Sequence, residues 1–484
     1  MKKNHIKLIL VATLLLQSPA YANPESLALP DMGDASATIL SADEDQRLGQ
    51  AFMRSLRQHV NIIEDPAINA YVNTLGYRLL GGANTELPFT FFVVDDPNIN
   101  AFAGPGGYIG IHSGLILTAT TEGEVAAVMA HEVAHVTQRH LARAFKKASA
   151  TNLQAAAAVL AAIILGSPQI GEAAIALAVA APIQQQLNFT RAHEKEADRV
   201  GIEILANAGY DPRHMPAFFY RLQTSQRYMK SNLPELLRTH PVTPSRISDS
   251  KNRAEQYLEK EDYFSNADFG LIQARLHSLS SDEKQRIQAI ELSVNKNNSD
   301  DKTRYEYALW KLNQGEYAAA RKMGKQLLND AADQALYIAL MAQIEVAEGE
   351  FKQAENRLEQ ALALYPQHPL LTMQYVEVLL QLGRPEIAAK KMKDLIQHLE
   401  NFALPADYQR LAKAETAANL LGNAHQTLAE YYYLIGLTRI AIDQLEVAQK
   451  ETPTKDHFNH AKIKARLEEL KQMTLEEEQA KRKQ

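Results

Sequence analysis

The chain has 484 residues, a formal net charge of −6 at pH 7 and no cysteine. An acidic balance argues against general binding to nucleic acid, and the lack of cysteine excludes cysteine-ligated zinc sites and cysteine nucleophiles. A chain of this length needs more than one ordinary hydrophobic core, so we expect two or more domains.

The first 22 residues have the pattern of a secretory signal peptide. Three lysines lie among the first seven residues, residues 8–16 form an apolar run, and Ala20 and Ala22 flank an A-x-A cleavage site. The apolar run is well short of the ~20 residues that span a bilayer, so a retained membrane anchor is the weaker alternative. We therefore predict a signal peptide over 1–22 and export to the periplasm, an oxidising compartment that suits a chain without thiols.

Two short strands are predicted next, at residues 91–94 and 108–111, around a glycine-rich turn at 104–107. The second strand leads towards the predicted helix that follows. Because the free edge of a strand can pair with an extended peptide, a strand beside a catalytic helix suits a peptidase.

A helix is predicted over 123–144, where apolar residues recur at helical spacing. Thr121 and Glu124 are spaced as a capping box at its start. Within this helix, residues 131–135 have the sequence H-E-x-x-H.

This motif predicts a zinc peptidase. His131 and His135 are one helical turn apart on the same face, so their imidazoles can share one zinc ion. Glu132 lies between them, where it can take a proton from the water that zinc activates.

The third metal ligand must come from outside this helix. The metzincin spacing would place glycine and histidine at positions that hold Gln138 and Leu141. His140 comes one residue too early, and we expect it off the metal face, exposed beside Arg139 and Arg143.

An apolar segment over 153–182 is interrupted by glycine, serine, proline and glutamate. Each of its two pieces is too short to cross a bilayer. We expect a pair of small-residue helices that act as a lid or binding wall beside the metal site. A re-entrant or interfacial hairpin, with peripheral membrane contact, is the alternative.

The segment 190–201 is the best source of the third ligand, and His193, Glu194 and Glu196 compete for that role. Glu194 and Asp198 are four residues apart and share one helix face, whereas Glu196 lies about 200° round from Glu194. Glu194 can therefore bind the metal while Asp198 accepts the N–H of a ligand histidine.

His240 lies in a loop bracketed by prolines, and Pro241 favours an extended backbone at His240. An imidazole that reached the zinc would displace the water and make the enzyme latent. Alternatively, His240 stabilises the oxyanion after the loop moves. For Arg246, bracing this loop and binding a substrate carbonyl are both open.

Beyond about residue 260, helix-forming residues dominate. Gly315, Gly349 and Gly383 recur 34 residues apart, each followed five residues later by alanine, and Gly436 repeats this phase. A 34-residue period with a turn glycine and alanine at helix crossings is typical of tetratricopeptide repeats. Residues 390–435 are less regular, so the number of repeats is open.

Three blocks together resemble the HtpX- and CAAX-prenyl-protease-type gluzincin metallopeptidases: MAHEVAHVTQRHLAR over 129–143, R-x-x-E-x-x-A-D over 191–198 and T-H-P over 239–241. The likeness extends over nearly the whole chain to periplasmic members that carry tetratricopeptide repeats. Thr190, where the family often has serine, is a mild departure.

The resemblance implies one zinc ion per subunit, held by His131, His135 and Glu194, with Glu132 as base and the loop of His240 over the site. It also implies docking onto the outer-membrane β-barrel assembly machinery. The implied substrates are misfolded outer-membrane barrel proteins, including the lipopolysaccharide-transport barrel.

We expect an α+β zincin-type metallopeptidase domain over 23–258, a helical connector over 259–300, an all-α tetratricopeptide-repeat domain over 301–470 and a charged tail over 471–484. The expected function is periplasmic proteolysis of misassembled barrel proteins with a chaperone-like aid to their assembly. The alternatives are a repeat-based binding scaffold or chaperone with a latent or structural zinc site, and a membrane-embedded protease, which the short apolar pieces disfavour.

Overall fold

A computed structural model describes residues 41–145, 157, 160–161, 191–228, 235–257, 267–279, 284–296 and 299–482. The predicted signal peptide, Thr190 and the apolar segment over 153–182, apart from Ala157, Leu160 and Ala161, lie outside the described residues. Those three residues are buried in a hydrophobic cluster that also contains residues of helix Ala42–Arg57.

The first part of the chain combines helices with a small sheet. Its strands are β1 (Thr90–Val94), β2 (Ala101–Ala103) and β3 (Tyr108–His112). Its described helices are α1 (Ala42–Arg57), α2 (Pro66–Ala83), α3 (Ser113–Thr118), α4 (Glu122–Thr137), α5 (His140–Phe145), α6 (Arg191–Asn207), α7 (His214–Tyr228), α8 (Glu235–Thr239) and α9 (Pro244–Ala254).

The sheet has the order β1-β3-β2, with β1 parallel and β2 antiparallel to β3. Since β3 lies in the centre, the expectation that the strand before the metal helix has a free edge is wrong. The edge strand beside α4 is β2, which the sequence did not predict because it has only three residues.

Helix α4 begins at Thr121, whose side chain accepts the Glu124 N–H at 3.3 Å. The Glu124 carboxylate binds the backbone N–H of Thr120 at 2.7 Å, so only half of the predicted capping box forms as expected. The predicted continuous helix over 123–144 is also wrong. Arg139 has a left-handed backbone, with φ 53°, and this residue separates α4 from α5.

Helix α4 is buried between α2, α6 and α7. Gly201 of α6 lies directly against it, because a Cβ at this position would be 3.2 Å from the Cα of His131. The absence of a side chain therefore lets α6 bring its acidic residues close to the metal-motif helix.

The rest of the described chain is helical. Its helices are α10 (Ala267–Leu279), α11 (Lys284–Asn295), α12 (Asp301–Asn313), α13 (Tyr317–Asp330), α14 (Ala335–Ala347), α15 (Phe351–Leu364), α16 (Pro369–Gln381), α17 (Pro385–Leu399), α18 (Pro405–Ala417), α19 (Leu421–Leu434), α20 (Thr438–Glu451) and α21 (His457–Arg482). Successive helices from α12 onwards pack against each other, as expected for helical repeats.

The glycines of the repeat pattern end helices. Gly315, Gly349, Gly383 and Gly436 all have φ between 71° and 82°. At Gly349, for example, the next residue donates its N–H to the Glu345 carbonyl at 2.8 Å, which closes the helix end.

The irregular stretch over 390–435 contains the same kind of turn without glycine. Asn419 has φ 58°, and Leu420 donates its N–H to the Glu415 carbonyl at 2.9 Å. Ala424, five residues after Asn419, is buried like the alanines of the other turns. Asparagine tolerates the left-handed region, so it replaces glycine here.

The repeats pack against the first part of the chain. Arg275 of α10 binds Asp65 at 2.8 Å, and Arg54 of α1 donates to the Tyr433 hydroxyl at 2.7 Å. One contact comes from the helix before the repeats and the other from a repeat helix, and together they join the helical part to the first part of the chain. Among the helices that the structure describes, none combines the length and apolar character that crossing a membrane requires.

Candidate metal centre

The rings of His131 and His135 on α4 point their Nε2 atoms to a common position. Their Nε2 atoms lie 3.1 Å apart, and both side chains are buried. This closeness follows from the four-residue spacing, which puts the two rings one above the other on the same helix face.

Helix α6 brings a carboxylate to the same point. Glu194 places one oxygen 3.6 Å from Nε2 of His131 and the other 3.5 Å from Nε2 of His135. Around a tetrahedral zinc with bonds of 2.0–2.1 Å, neighbouring ligand atoms are about 3.3 Å apart. The spacing of these donors therefore fits a single ion of that size.

The other two candidates in this segment point elsewhere. Glu196 contacts Nε2 of His140 at 3.1 Å. The ring of His193 stacks on that of His140, with centroids 4.5 Å apart. Helical phase explains this, since only Glu194 lies on the face of α6 that packs against α4.

His240 completes the cluster from the loop between α8 and α9. Nδ1 of its ring lies 2.9 Å from a Glu194 oxygen. The backbone N–H of His240 donates to the Leu236 carbonyl at 2.8 Å. His131, His135, Glu194 and His240 each offer one ligand atom, and these four atoms lie within 4.8 Å of one another. The donor set of three histidines and one glutamate is thus of a kind that can hold one metal ion.

Glu132 is 1% exposed, and neither of its carboxylate oxygens has a hydrogen-bond partner among the described residues. His240 Nε2 is 3.6 Å away. Burial raises the pKa of the Glu132 carboxyl. A buried carboxylate that no hydrogen bond occupies, beside a metal-type cluster, is suited to accept a proton from a water at that site.

Asp198 and Arg246 support the cluster from behind. An Asp198 oxygen lies 3.1 Å from Nδ1 of His131, on the side away from Glu194. Arg246 binds Asp198 through Nε at 2.8 Å and another guanidinium nitrogen at 2.7 Å. It also reaches a Glu194 oxygen at 2.8 Å and donates to the Pro241 carbonyl at 3.0 Å.

The sequence left two roles open for Arg246: bracing the His240 loop or binding a substrate carbonyl. In the structure Arg246 contacts this loop at Pro241, which favours the first role. Its contacts with both carboxylates were missed, because they cross about 50 residues of sequence. The available signal was its position shortly after the T-H-P block.

The charges at the centre are strongly coupled. Burial lowers the pKa of His131, but hydrogen bonds to Asp198 and Glu194 outweigh it and raise that pKa to about 10. Burial and the neighbouring His131 hold the pKa of His135 well below its usual value. Burial also opposes ionisation of Glu194, yet His240 and His131 lower its pKa well below the usual range. Two ionised carboxylates close to the imidazoles therefore favour a positive charge at the point where the ligand atoms meet.

The prediction that His140 is exposed is wrong, although His140 lies outside the metal cluster, as expected. It is 0% exposed, and its Nδ1 lies 3.0 Å from Nδ1 of His135. The left-handed turn at Arg139 reverses the chain and brings the ring back over the end of α4. Burial lowers the pKa of His140 to about 4, so the ring is neutral at pH 7.

Comparison with known proteins gives matches in both parts of the chain. Residues 66–254 match the model of Peptidase family M48, and residues 345–403 match a tetratricopeptide repeat model. The β-barrel assembly-enhancing protease of Escherichia coli (strain K12) is 34% identical over 482 residues, which cover 98% of this chain and 97% of that protein. The chain belongs to the β-barrel assembly-enhancing protease family.

Further relatives agree. The β-barrel assembly-enhancing protease of Yersinia pestis is 32% identical, over 96% of this chain and 97% of that protein. The mitochondrial metalloendopeptidase OMA1 of Arabidopsis thaliana is 36% identical over 149 residues, 31% of this chain and 28% of that protein. The predicted metallopeptidase with tetratricopeptide repeats is confirmed, and all residues of the cluster fall within the M48 match.

Proposed function

We propose that this chain is a zinc-dependent endopeptidase, exported to the periplasm after removal of residues 1–22, that degrades misassembled outer-membrane β-barrel proteins and assists their assembly. The observation that carries the proposal is a buried cluster of three histidines and one glutamate in a chain similar over 98% of its length to a β-barrel assembly-enhancing protease.

The contacts support the following assignment of roles. His131, His135 and Glu194 hold the ion, and Asp198 orients His131. A zinc ion bound there supplies Lewis acidity and activates a water. Glu132 takes the proton of that water and passes it to the leaving amine. The raised pKa of its carboxyl suits both transfers.

His240 serves as the reversible fourth ligand, which makes the resting enzyme latent. Its place inside the donor cluster supports this role. Arg246 holds the loop closed through the Pro241 carbonyl. Once the loop moves, a water and a substrate carbonyl can enter, and His240 can then stabilise the oxyanion.

The repeat domain, predicted over 301–470, holds the partner. The β-barrel assembly machinery and its barrel clients, including the lipopolysaccharide-transport barrel, are the proposed partners. Tethering the protease to that machinery raises the local concentration of its substrate without strong contacts at the cleavage site.

A second candidate is a chaperone or scaffold whose zinc site is permanently closed. The observation that favours it is the same placement of His240, which lies 2.9 Å from Glu194. In that case the repeats perform the function and the metal stabilises the fold.

Metal content and cleavage together separate the candidates. The full chain, Glu132→Gln, Glu194→Ala and His240→Ala are assayed for bound zinc and for cleavage of casein and of a denatured barrel protein. Glu203→Ala, an exposed carboxylate on the same helix, is the matched control for Glu194→Ala.

We expect zinc to be lost only in Glu194→Ala, cleavage to be lost in Glu132→Gln with zinc retained, and cleavage to be faster in His240→Ala. Bound zinc without cleavage by any form would favour the scaffold. A zinc-free wild-type protein, or full zinc and cleavage in Glu194→Ala, would overturn the metallopeptidase assignment of these residues.

A further inference from the structure

The two histidines of α4 have different partners at Nδ1, the ring nitrogen that points away from the metal cluster. Nδ1 of His131 faces the carboxylate of Asp198 at 3.1 Å. Nδ1 of His135 instead faces another imidazole, that of His140, at 3.0 Å. In metal sites, the group behind a histidine fixes its tautomer and the direction of its ring.

We propose that His140 and Glu196 form a positioning relay that orients His135 towards the metal. This inference rests on the proposed metal site and deepens it. The relay is a carboxylate that fixes one imidazole, which in turn fixes the ligand imidazole.

A single proton arrangement satisfies every contact in the relay. If His135 binds the metal through Nε2, its proton is on Nδ1, and Nδ1–H donates to Nδ1 of His140. Accepting there requires His140 to carry its own proton on Nε2. That N–H points at a Glu196 oxygen 3.1 Å away, which accepts it.

The surroundings hold the relay in place. His140 is 0% exposed, and the His193 ring stacks on it at an interplanar angle of 17°. Arg143 donates to the same Glu196 oxygen at 3.3 Å, which holds that carboxylate aimed at the ring. The contacts of His140 with His193 and Glu196, and of Glu196 with Arg143, are not required by the H-E-x-x-H motif or by the position of Glu194. They therefore indicate a role for His140 of its own.

The relay also explains why two carboxylates on α6 flank the site. Asp198 supports His131 directly, and Glu196 supports His135 through the intervening ring. A carboxylate lies directly behind His131, whereas an imidazole separates Glu196 from His135, so His135 receives less negative charge from behind. The two ligands should therefore differ in basicity, and His135 should be the more easily displaced.

The test measures metal binding rather than peptide cleavage. Zinc affinity of the full-length chain is measured by competition with a chromophoric chelator, and the geometry of the site by the visible absorption of bound cobalt(II). The variants are His140→Leu, His140→Gln and Glu196→Ala, with Glu203→Ala as the matched carboxylate control on the same helix. Circular dichroism of the metal-free proteins checks that each is folded.

We expect His140→Leu to weaken zinc binding by about 10–100-fold, the usual effect of losing such a partner, and to change the cobalt spectrum. His140→Gln should recover part of the affinity, because its carbonyl oxygen can accept from His135 and its NH₂ can donate to Glu196. Glu196→Ala should weaken binding by a smaller factor, since the His140 ring remains but its tautomer is no longer fixed.

Wild-type affinity and an unchanged cobalt spectrum in both His140→Leu and Glu196→Ala would overturn the relay while leaving the metal site intact. Should His140→Leu fail to fold, Glu196→Ala decides the question, because Glu196 is partly exposed and its removal leaves no buried gap. A wild-type chain that binds no zinc would instead refute the proposed function.

Discussion

Replacing Arg246 by methionine removes the buried guanidinium that joins two carboxylates to the His240 loop. Arg246 is 3% exposed. It makes two bonds of 2.7 and 2.8 Å to Asp198, one of 2.8 Å to Glu194 and one of 3.0 Å to the Pro241 carbonyl. Removing one partner of such a buried ion pair costs about 3–5 kcal/mol, because the remaining charges lose their compensation.

For this substitution we expect the lower end of that range in the metal-free protein, about 3 kcal/mol, since Asp198 keeps its contact with His131. With zinc present the loss should be smaller, because the ion compensates Glu194. Arg246→Lys should fall between the wild type and the methionine variant, since one ammonium cannot form the planar, two-point contact of a guanidinium.

Hydrogen exchange of the full-length chain, with and without a chelator, measures this effect. The opening free energy of amides in α4, α6 and α9 should fall, whereas amides in α12, far along the chain, serve as the internal reference. A decrease below about 1 kcal/mol in metal-free α6 would refute the reasoning, because it would place Arg246 in the class of surface ion pairs.

Other consequences can be tested separately. Gly201→Ala should weaken zinc binding and destabilise the first domain by about 1–3 kcal/mol, because its Cβ would press on the His131 backbone; calorimetry and chelator competition measure both. Gly349→Ala should destabilise the repeats by about 1 kcal/mol through its left-handed backbone alone. Gly81→Ala, a helical glycine with equally open surroundings, should instead stabilise the protein by about 0.5–1 kcal/mol; equal effects in the two melting curves would contradict this. Burial raises the pKa of the Asp407 carboxyl to about 6, above the ~3.9 of an unfolded chain. At this group the folded state therefore binds more protons between these values, and the contribution of Asp407 to stability should become more favourable as the pH falls from about 7 to 4. Asp407→Asn should remove this dependence, and a variant that keeps the wild-type pH profile of thermal unfolding would exclude Asp407 as its source.

Some features of this protein follow from local sequence. The spacing of His131 and His135 predicts that their rings share one face, because helix geometry acts over four residues. The phase of Gly315, Gly349 and Gly383 predicts the repeat turns for the same reason, since each left-handed helix end favours glycine. Asn419 does not fit the glycine pattern, although Ala424 follows it at the usual spacing of five residues.

Other features could not be read from local sequence. The end of α4 depends on Arg139, a residue type with no preference for the left-handed region, so the predicted helix ran too far. This error also displaced His140, which was expected in water and is instead fully buried against His135.

The sequence by itself determined the spacing of groups within each helix: the histidine pair with its glutamate, the Glu194–Asp198 face and the repeat turns. Only the tertiary structure decided which faces meet. Bringing α6 and the His240 loop onto α4 removes water from three histidines, from Arg246 and from the carboxylates of Glu194 and Asp198, so each of these groups must find a partner of opposite charge or a hydrogen bond. Those pairings join residues more than 40 positions apart, and they depend on packing rather than on the period of any single helix.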